Sequence, residues 1–260
     1  MNEVSFLEQA MNTARLAAVQ GAQTALRFFR SGVSPEWKDD RSPVTEADRE
    51  AEAVIVATIQ AQFPQHGILA EESGFLPGDQ EYRWIIDPID GTRGFIRAGK
   101  FWGSLVALEY RGQVVAGAMA LPALELEYWA GRGLGCFRNG IRVQVSQESR
   151  WEDATLSLGE LQHLLSPPYQ SAITGLIQTA ASTRCYGDPG GLMMVLDGLA
   201  DVWMEAGVKP WDLAAASVLI EEAGGRFSNF RGTHDLNDGT AIASNGLLHE
   251  EILNRLRLMS

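Results

Sequence analysis

The chain is poor in cysteine: Cys136 and Cys185 are the two among 260 residues. That is too few for a disulfide framework, and a reduced, cytoplasmic setting is the expectation. No stretch approaches the roughly 18 consecutive apolar residues of a membrane span. The first thirty residues lack a basic n-region and a compact apolar block, and Glu3 and Glu8 come early. They read as an amphipathic helix and not as a signal peptide. Basic residues are in deficit, 21 against 33 acids, for a net charge of −12. Such a chain repels nucleic acid and anionic lipid unless charge is locally reversed, and an anionic substrate would need a cation as intermediary.

Several catalytic signatures are missing as well. His66, His163, His234 and His249 share no metal-ligand spacing, and neither H-E-x-x-H nor a G-x-S-x-G elbow occurs. Gly94 to Lys100 fits G-x-x-x-x-G-K, but Phe101 stands where a hydroxyl must meet Mg²⁺. Gly131 to Gly135 is glycine-rich, yet it precedes a turn and strand where a dinucleotide fingerprint needs a helix. Repeats and low-complexity linkers are absent.

What remains is ordinary globular composition, 45% hydrophobic and 21% charged with 27 glycines. Phe6, Leu7, Ala10, Ala14, Ala17 and Ala18 mark one face of a first helix running to Phe28 or Phe29. Residues 31–41, with Gly32 and Pro35, break it. Thr45 and Asp48 have capping-box spacing at the start of a second helix, which Val54, Ile55, Thr58 and Ile59 make amphipathic and Pro64 ends. Short strands follow at 67–70 and 84–86, then a hairpin of 104–110 and 114–121, then strands at 126–130 and 141–145 around Asn139-Gly140. Residues 67–146 thus read as antiparallel sheet packed on two helices. Residues 147–190 are mixed polar and small, and helical spacing returns at 192–200 and 213–223 before Gly224-Gly225. The expected organisation is an N-terminal α+β lobe, 1–146, and a C-terminal α/β lobe, 147–260, forming one continuous catalytic unit. Most of the seven tryptophans are expected in the core.

The chemistry concentrates in Trp84-Ile85-Ile86-Asp87-Pro88-Ile89-Asp90-Gly91-Thr92. An apolar strand ends in two carboxylates three apart, with Pro88 fixing the backbone between them and Gly91 permitting a sharp turn. Converging acids suit a hard cation, and amides after Gly91 suit phosphate oxygens. Read alone, Asp87 and Asp90 are equally well turn residues. Glu71-Glu72 also follows a short apolar strand. Asp212 precedes an apolar helix and reads equally as its N-cap. Glu205, after Val202-Trp203-Met204, faces either inward or solvent.

Together, Ala70-Glu71-Glu72-Ser73, Asp87-Pro88-Ile89-Asp90-Gly91-Thr92 and Trp211-Asp212 resemble the inositol monophosphatase family in order and spacing. Lys38, Val44-Thr45-Glu46-Ala47-Asp48 and Glu221-Glu222-Ala223-Gly224-Gly225 resemble its flanking motifs, so the likeness spans nearly the whole chain. It implies a layered αβαβα sandwich, an α+β fold shared with fructose-1,6-bisphosphatase, and a Mg²⁺-dependent phosphomonoesterase with two to three ions per site. Carried over, Glu71, Asp87 and the Ile89 carbonyl would hold one ion, and Asp87, Asp90 and Asp212 a second. Glu71 would also reach a third, with Asp48 nearby through water. Thr92 and Glu71 would orient the attacking water, and Gly91 and Thr92 amides would hold phosphate.

Within the family, Thr92-Arg93-Gly94-Phe95-Ile96-Arg97, Arg184-Cys185-Tyr186-Gly187-Asp188 and Ala243 to His249 resemble the histidinol-phosphate phosphatase branch. Pro189 departs from the aromatic residue expected after Gly187-Asp188. Asp188 and Glu205 would suit the cationic end of such a substrate. Arg184 would reach phosphate or shape the pocket, or else pair with Asp188 to order a loop. The implied substrate-side set is Asp90, Gly91, Thr92, Arg93, Arg184, Asp188, Glu205 and Asp212. The expected partners are a small phosphorylated metabolite and a second copy in a homodimer, with neither nucleic acid nor membrane. Inositol phosphate, another sugar phosphate or a 3′-phosphonucleotide is the alternative substrate. An aspartyl-phosphate mechanism fits less well, because its D-x-D-G-T signature has one residue between the acids and here two intervene. A phospholigand-binding scaffold would not require the Glu71–Thr92 pair.

Overall fold

A computed structural model describes residues 3–31, 34–38 and 43–258. The expected break at 31–41 therefore falls partly outside the described residues. The chain divides into two compact units, Met1–Arg142 and Val143–Ser260, and each is described by itself.

The first unit opens with the long helix α1 (Glu3–Ser31), a small antiparallel ribbon of β1 (Glu36–Trp37) and β2 (Pro43–Val44), and α2 (Glu46–Gln62). There follow β3 (His66–Ala70), β4 (Gly74–Leu76), β5 (Asp79–Asp90), the single turn α3 (Thr92–Phe95), β6 (Gly103–Tyr110), β7 (Gln113–Leu121), β8 (Leu126–Gly131), β9 (Gly135–Arg138) and β10 (Ile141–Arg142). These strands form one eight-stranded sheet, ordered β10-β9-β8-β7-β6-β5-β3-β4. Helices α1 and α2 cover it through Ala10, Ala14, Ala17, Ala18, Ile55 and Ile59, all fully buried. The alanines bring α1 close, and a Cβ on Gly21 would lie 2.5 Å from the Ile55 side chain, so only glycine fits where α1 meets α2. Thr45 caps α2 as its spacing predicts: its Oγ1 accepts from Ala47 N, and its own N–H donates to Asp48 Oδ2 at 2.7 Å.

The sheet is not antiparallel throughout. β4 turns back on β3 and takes the edge, so β5 returns beside β3 in parallel, with Ala70 opposite Ile86. The end of that parallel pairing brings Glu71, just after β3, beside Asp87 of β5.

The second unit has a 3₁₀ turn (Trp151–Asp153), β11 (Thr155–Leu158), α4 (Leu161–Leu164), α5 (Gln170–Thr179), β12 (Ser182–Arg184), α6 (Asp188–Leu196), β13 (Val202–Ala206), α7 (Pro210–Glu222), β14 (Arg226–Ser228), β15 (Thr240–Ser244) and α8 (His249–Leu258). The sheet order is β12-β11-β13-β15-β14, with β11 parallel to both neighbours and β15 antiparallel to both of its own. Strand alternation sends Val202, Met204 and Ala206 into a core with α4, α5 and α8. Trp203 and Glu205 take the other face, where a Cβ on Gly191 of α6 would lie 2.4 Å from the Trp203 ring. The polar stretch 147–190, read as irregular, thus contains five short elements. α6 begins four residues before its expected start at 192, because its glycines are a close-packing surface and not a helix breaker. Trp84, Trp102, Trp151 and Trp203 are fully buried, as expected of the tryptophans; Trp37 is exposed.

His249, at the start of α8, is wholly buried. Ser244 Oγ lies 2.8 Å from its Nδ1 and Ser228 Oγ 2.8 Å from its Nε2. Ser228 spends its own hydrogen on Asn229 O, which assigns the imidazole proton to Nε2. Burial, reinforced by Arg226, lowers the His249 pKa to about 4, against a smaller upward pull from Glu250. The unfolded chain takes up a proton below about 6.5, and the folded chain does not until about 4. This residue's contribution is therefore intact above pH 6.5 and declines as pH falls to 4, by about 3 kcal/mol at most. Denaturant unfolding between pH 7 and 4.5 should show that decline. His249→Gln should be less stable at pH 7 and lose that component of the slope.

Candidate active site

The acid-bearing turn at the end of β5 is built by a break in the sheet. Asp87 pairs with Leu105 and Asp90 with Gly103, so Pro88 and Ile89 stand opposite Ser104 alone. This bulge re-aims the chain between the two acids. Pro88 brings no N–H, and its carbonyl accepts instead from the buried Ser104 Oγ at 2.6 Å. Ile89 N–H donates to Asp87 Oδ1 at 3.0 Å. Beneath the bulge, Ile89, Phe95 and Trp102 pack with Ala25, Leu26, Ala47 and Ala51 from the ends of α1 and α2. The Phe95 and Trp102 rings meet edge-on at 4.7 Å. The turn therefore rests on its own small core.

Gly91 then takes φ 87°, and a Cβ there would lie 2.8 Å from Phe101 O; both facts require glycine. Gly94 and Phe95 N–H return to Gly91 O, each at 2.9 Å, to close α3. Thr92 Oγ1 donates to Ile89 O at 2.8 Å. With its hydrogen committed, that hydroxyl offers only lone pairs to a further partner. Arg93 is exposed, its guanidinium 6.0 Å from the Trp37 ring centre.

Glu71, Glu72 and Ser73 form the loop of the β3–β4 hairpin. Glu71 N–H donates to Ile86 O at 3.2 Å. Lys38 Nζ bridges Glu71 Oε1 at 2.9 Å and Glu72 Oε1 at 2.7 Å. Burial opposes the Lys38 charge, but the bonds to Glu72 and Glu71 hold its ammonium above its ordinary value. Burial raises the pKa of Glu71 and Glu72, and Lys38 pulls both back. Burial also lifts Asp48 to about 6, against its bonds to Thr45. Asp48 Oδ2 serves the helix cap, whereas Oδ1 is buried with no hydrogen-bond partner. Carboxylates that resist ionisation, one with an orphaned oxygen, together with the Ile89 carbonyl make an all-oxygen donor set. That set fits a hard divalent cation.

The first unit thus brings together Asp48, Glu71, Asp87, Ile89, Asp90, Gly91 and Thr92. In the second, Asp212 sits in the first turn of α7, its carboxylate taking Lys209 N–H at 2.7 Å. It is thus a cap as well as a candidate ligand. Glu205 faces inward: its Oε2 accepts from Trp203 Nε1 at 3.0 Å and Asp188 N at 3.1 Å. Burial, and then the Asp188 charge, raise its pKa well above the ordinary value. Asp188 is raised to about 6 by burial and by Glu160. Arg184 is exposed and donates to Ser182 Oγ at 2.6 Å and Thr183 O at 3.0 Å. No ion pair joins it to Asp188, so it orders its own strand end and not that loop.

Sequence reasoning missed Ser104, a lone serine in a strand whose role appears only in the β5–β6 register. It missed Glu52 too, an acid in the buried face of α2. A carboxylate at an apolar-stripe position, one turn after Asp48, is the signal that could have found it.

Residues 3–259 match the inositol monophosphatase family. A histidinol-phosphatase of Mycobacterium tuberculosis is 37% identical over 238 residues, covering 90% of this chain and 92% of that protein. A histidinol-phosphatase of Chlorobaculum parvum is 40% identical over 229 residues, 88% of each. The crystal structure of extragenic suppressor protein SuhB from Bartonella henselae superposes with a TM-score of 0.88 at 29% identity, over 95% of this chain and 98% of that one. The chain belongs to the inositol monophosphatase family, with its layered α+β fold. Within that class it is a phosphoric monoester hydrolase.

A cation held beside Asp48 would compete with its proton. Ionising it inside the fold costs about 3 kcal/mol above pH 6 relative to the unfolded chain, a cost a bound cation offsets. Stabilisation by saturating Mg²⁺ should be large at pH 8 and shrink as pH falls below 6. Thermal unfolding with and without Mg²⁺ checks it. Separately, Ser104→Ala strands the Pro88 carbonyl and should lower stability by about 1–3 kcal/mol, measured by denaturant unfolding.

Proposed function

We propose that this enzyme hydrolyses L-histidinol phosphate to L-histidinol and phosphate, a step of histidine biosynthesis, with Mg²⁺ as cofactor and as a cytoplasmic homodimer. Glu71, Asp87 and the Ile89 carbonyl would hold one ion, Asp87, Asp90 and Asp212 a second, and Glu71, with Asp48 nearby through water, a third. When bound, Mg²⁺ neutralises phosphoryl charge and lowers the pKa of water toward neutrality. Thr92 Oγ1, its hydrogen committed to Ile89 O, would accept a hydrogen bond from the attacking water, and Glu71 would help orient that water. Gly91 and Thr92 amides hold the phosphoryl oxygens, with Arg93 adding positive charge. The reaction needs placement and charge neutralisation, and no covalent enzyme intermediate.

The observation that carries the substrate assignment is the pairing of half-buried Asp188 with buried Glu205. Burial and Glu160 raise the Asp188 pKa, and burial and the Asp188 charge raise that of Glu205; two such acids gain most from a ligand cation, and histidinol carries an ammonium and an imidazole. The names of the two histidinol-phosphatase relatives support the same assignment. Membership of the inositol monophosphatase family favours one second reading, a sibling specificity for inositol phosphate or another small phosphate ester.

Phosphate release should be measured with and without Mg²⁺ on histidinol phosphate, inositol 1-phosphate and a 3′-phosphonucleotide. Histidinol phosphate should give the highest kcat/KM, and activity should vanish with chelator. Equal or faster turnover of inositol phosphate would sink the assignment. Asp90→Asn should stay folded and lose turnover by on the order of 10³ or more. Near-normal activity in that variant would refute the metal set, and a phosphoenzyme trapped at Asp87 would refute the mechanism.

A further inference from the structure

One buried carboxylate in the first unit has no place in the catalytic scheme above. Glu52 lies on α2, one helical turn after Asp48 and therefore on the same face. It is 4% exposed, where an acid is normally excluded unless fully bonded. Both its oxygens are engaged: Oε2 accepts Glu72 N–H and Oε1 accepts Ser73 N–H, each at 2.8 Å. The loop between β3 and β4 thus has three consecutive amides satisfied, Glu71 by Ile86 O of β5 and the next two by one side chain. Successive amides of this kind form a concave anion site, and here the anion is supplied by the protein's own helix. The side-chain bridge from Lys38 to Glu71 and Glu72 does not replace it, because that bridge leaves the backbone untouched.

We infer that Glu52 is the positioning residue for Glu71: by clamping the backbone of residues 72 and 73 to α2, it fixes where the Glu71 carboxylate stands relative to Asp48 and Asp87. The inference rests on the reading of Glu71 as a cation ligand and water-orienting group. A short hairpin loop bearing a catalytic acid is otherwise free to shift by the fraction of an ångström that placement-limited catalysis does not tolerate. Helix α2 does two tasks on one face, carrying Asp48 and holding the loop that carries Glu71. The pairing explains why a buried face that is otherwise alanine and isoleucine tolerates a second acid beside Asp48.

The test variant is Glu52→Gln, which keeps the volume but turns one acceptor into a donor facing an amide. Thr58→Val is its control, since Thr58 lies on the same helix away from the loop, its Oγ1 bonding Val54 O of α2 and Gln20 of α1. Hydrogen exchange at the Glu72 and Ser73 amides should quicken by about tenfold or more in Glu52→Gln, as loss of a buried bond requires, and stay unchanged in Thr58→Val. Titration with Mg²⁺ alone, followed by calorimetry, should show affinity lowered about tenfold in the first variant and unaltered in the second. At saturating Mg²⁺, kcat should fall by about tenfold with KM within threefold, the signature of lost transition-state placement. Glu52→Gln with Mg²⁺ affinity and kcat within threefold of wild type overturns the inference while leaving the metal reading intact. An equal loss in Thr58→Val overturns it too, since helix stability would then suffice. If the wild-type chain itself takes up no Mg²⁺, the metal reading fails and the inference falls with it.

Discussion

The parallel register of β3 against β5 is the constraint on which the first unit's chemistry depends. With Ala70 opposite Ile86, β3 ends at the level where its parallel pairing with β5 stops, and the next residue in each segment is an acid, Glu71 and Asp87. A shift of one residue would send every side chain of β3 to the other face and carry Glu71 away from Asp87. The register is held by burial on both sides of it: Ile68 and Ala70 on β3, Trp84 and Ile86 on β5, all in the core under α1 and α2. Catalytic placement is thus a consequence of core packing. The bulge at Pro88-Ile89 then adds what a regular strand cannot, two carboxylates and a carbonyl reaching beyond one strand end.

Concentrating acids this way is costly to the fold in isolation. Asp48, Glu71 and Glu72 are all raised by burial, and among the described residues Lys38 is the cation paired with Glu71 and Glu72. A site whose carboxylates are uncomfortable when ionised binds a divalent cation more selectively than a solvated cluster would, because the protein gains from neutralisation as well as from contact. The acid excess of the chain has the same origin. The six acids assigned to the chemistry, Asp48, Glu71, Asp87, Asp90, Glu205 and Asp212, account for half of the −12 net charge. What looked like a bulk property is in good part a site.

How much of this was legible in the sequence depends on how local each feature is. The capping box at Thr45–Asp48, the Asp87-to-Thr92 turn and the β6–β7 hairpin are local, and the sequence reading recovers them. The fold class followed from the order of three motifs across the chain. The parallel β3–β5 pairing was not legible, because residues 74–76 are too short to announce the edge strand that forces β5 to return beside β3. The elements of 147–190 were obscured for a related reason. β11 and β12 are short and α5 is only ten residues long, and their stability comes from a shared core and not from their own periodicity.

The second unit shows how such non-local requirements still leave marks in composition. Glu205 is enclosed so tightly that a Cβ on Gly159 would sit 2.1 Å from its carboxylate, and one on Gly187 within 3.1 Å of both its oxygens. Two glycines from different segments are therefore explained by one acid on β13. Their neighbours bear the consequence: Glu160 and Asp188, each directly after one of those glycines, take φ of 46° and 51°, a conformation that non-glycine residues adopt at some energetic cost. Strain on both sides of a buried carboxylate is difficult to account for as packing alone, since an apolar side chain at 205 would fill the same space without it. The arrangement makes sense if Glu205 has to be held, charged or ready to be charged, at one position. That demand accounts at once for the glycine content, the left-handed residues and the acidity of this face.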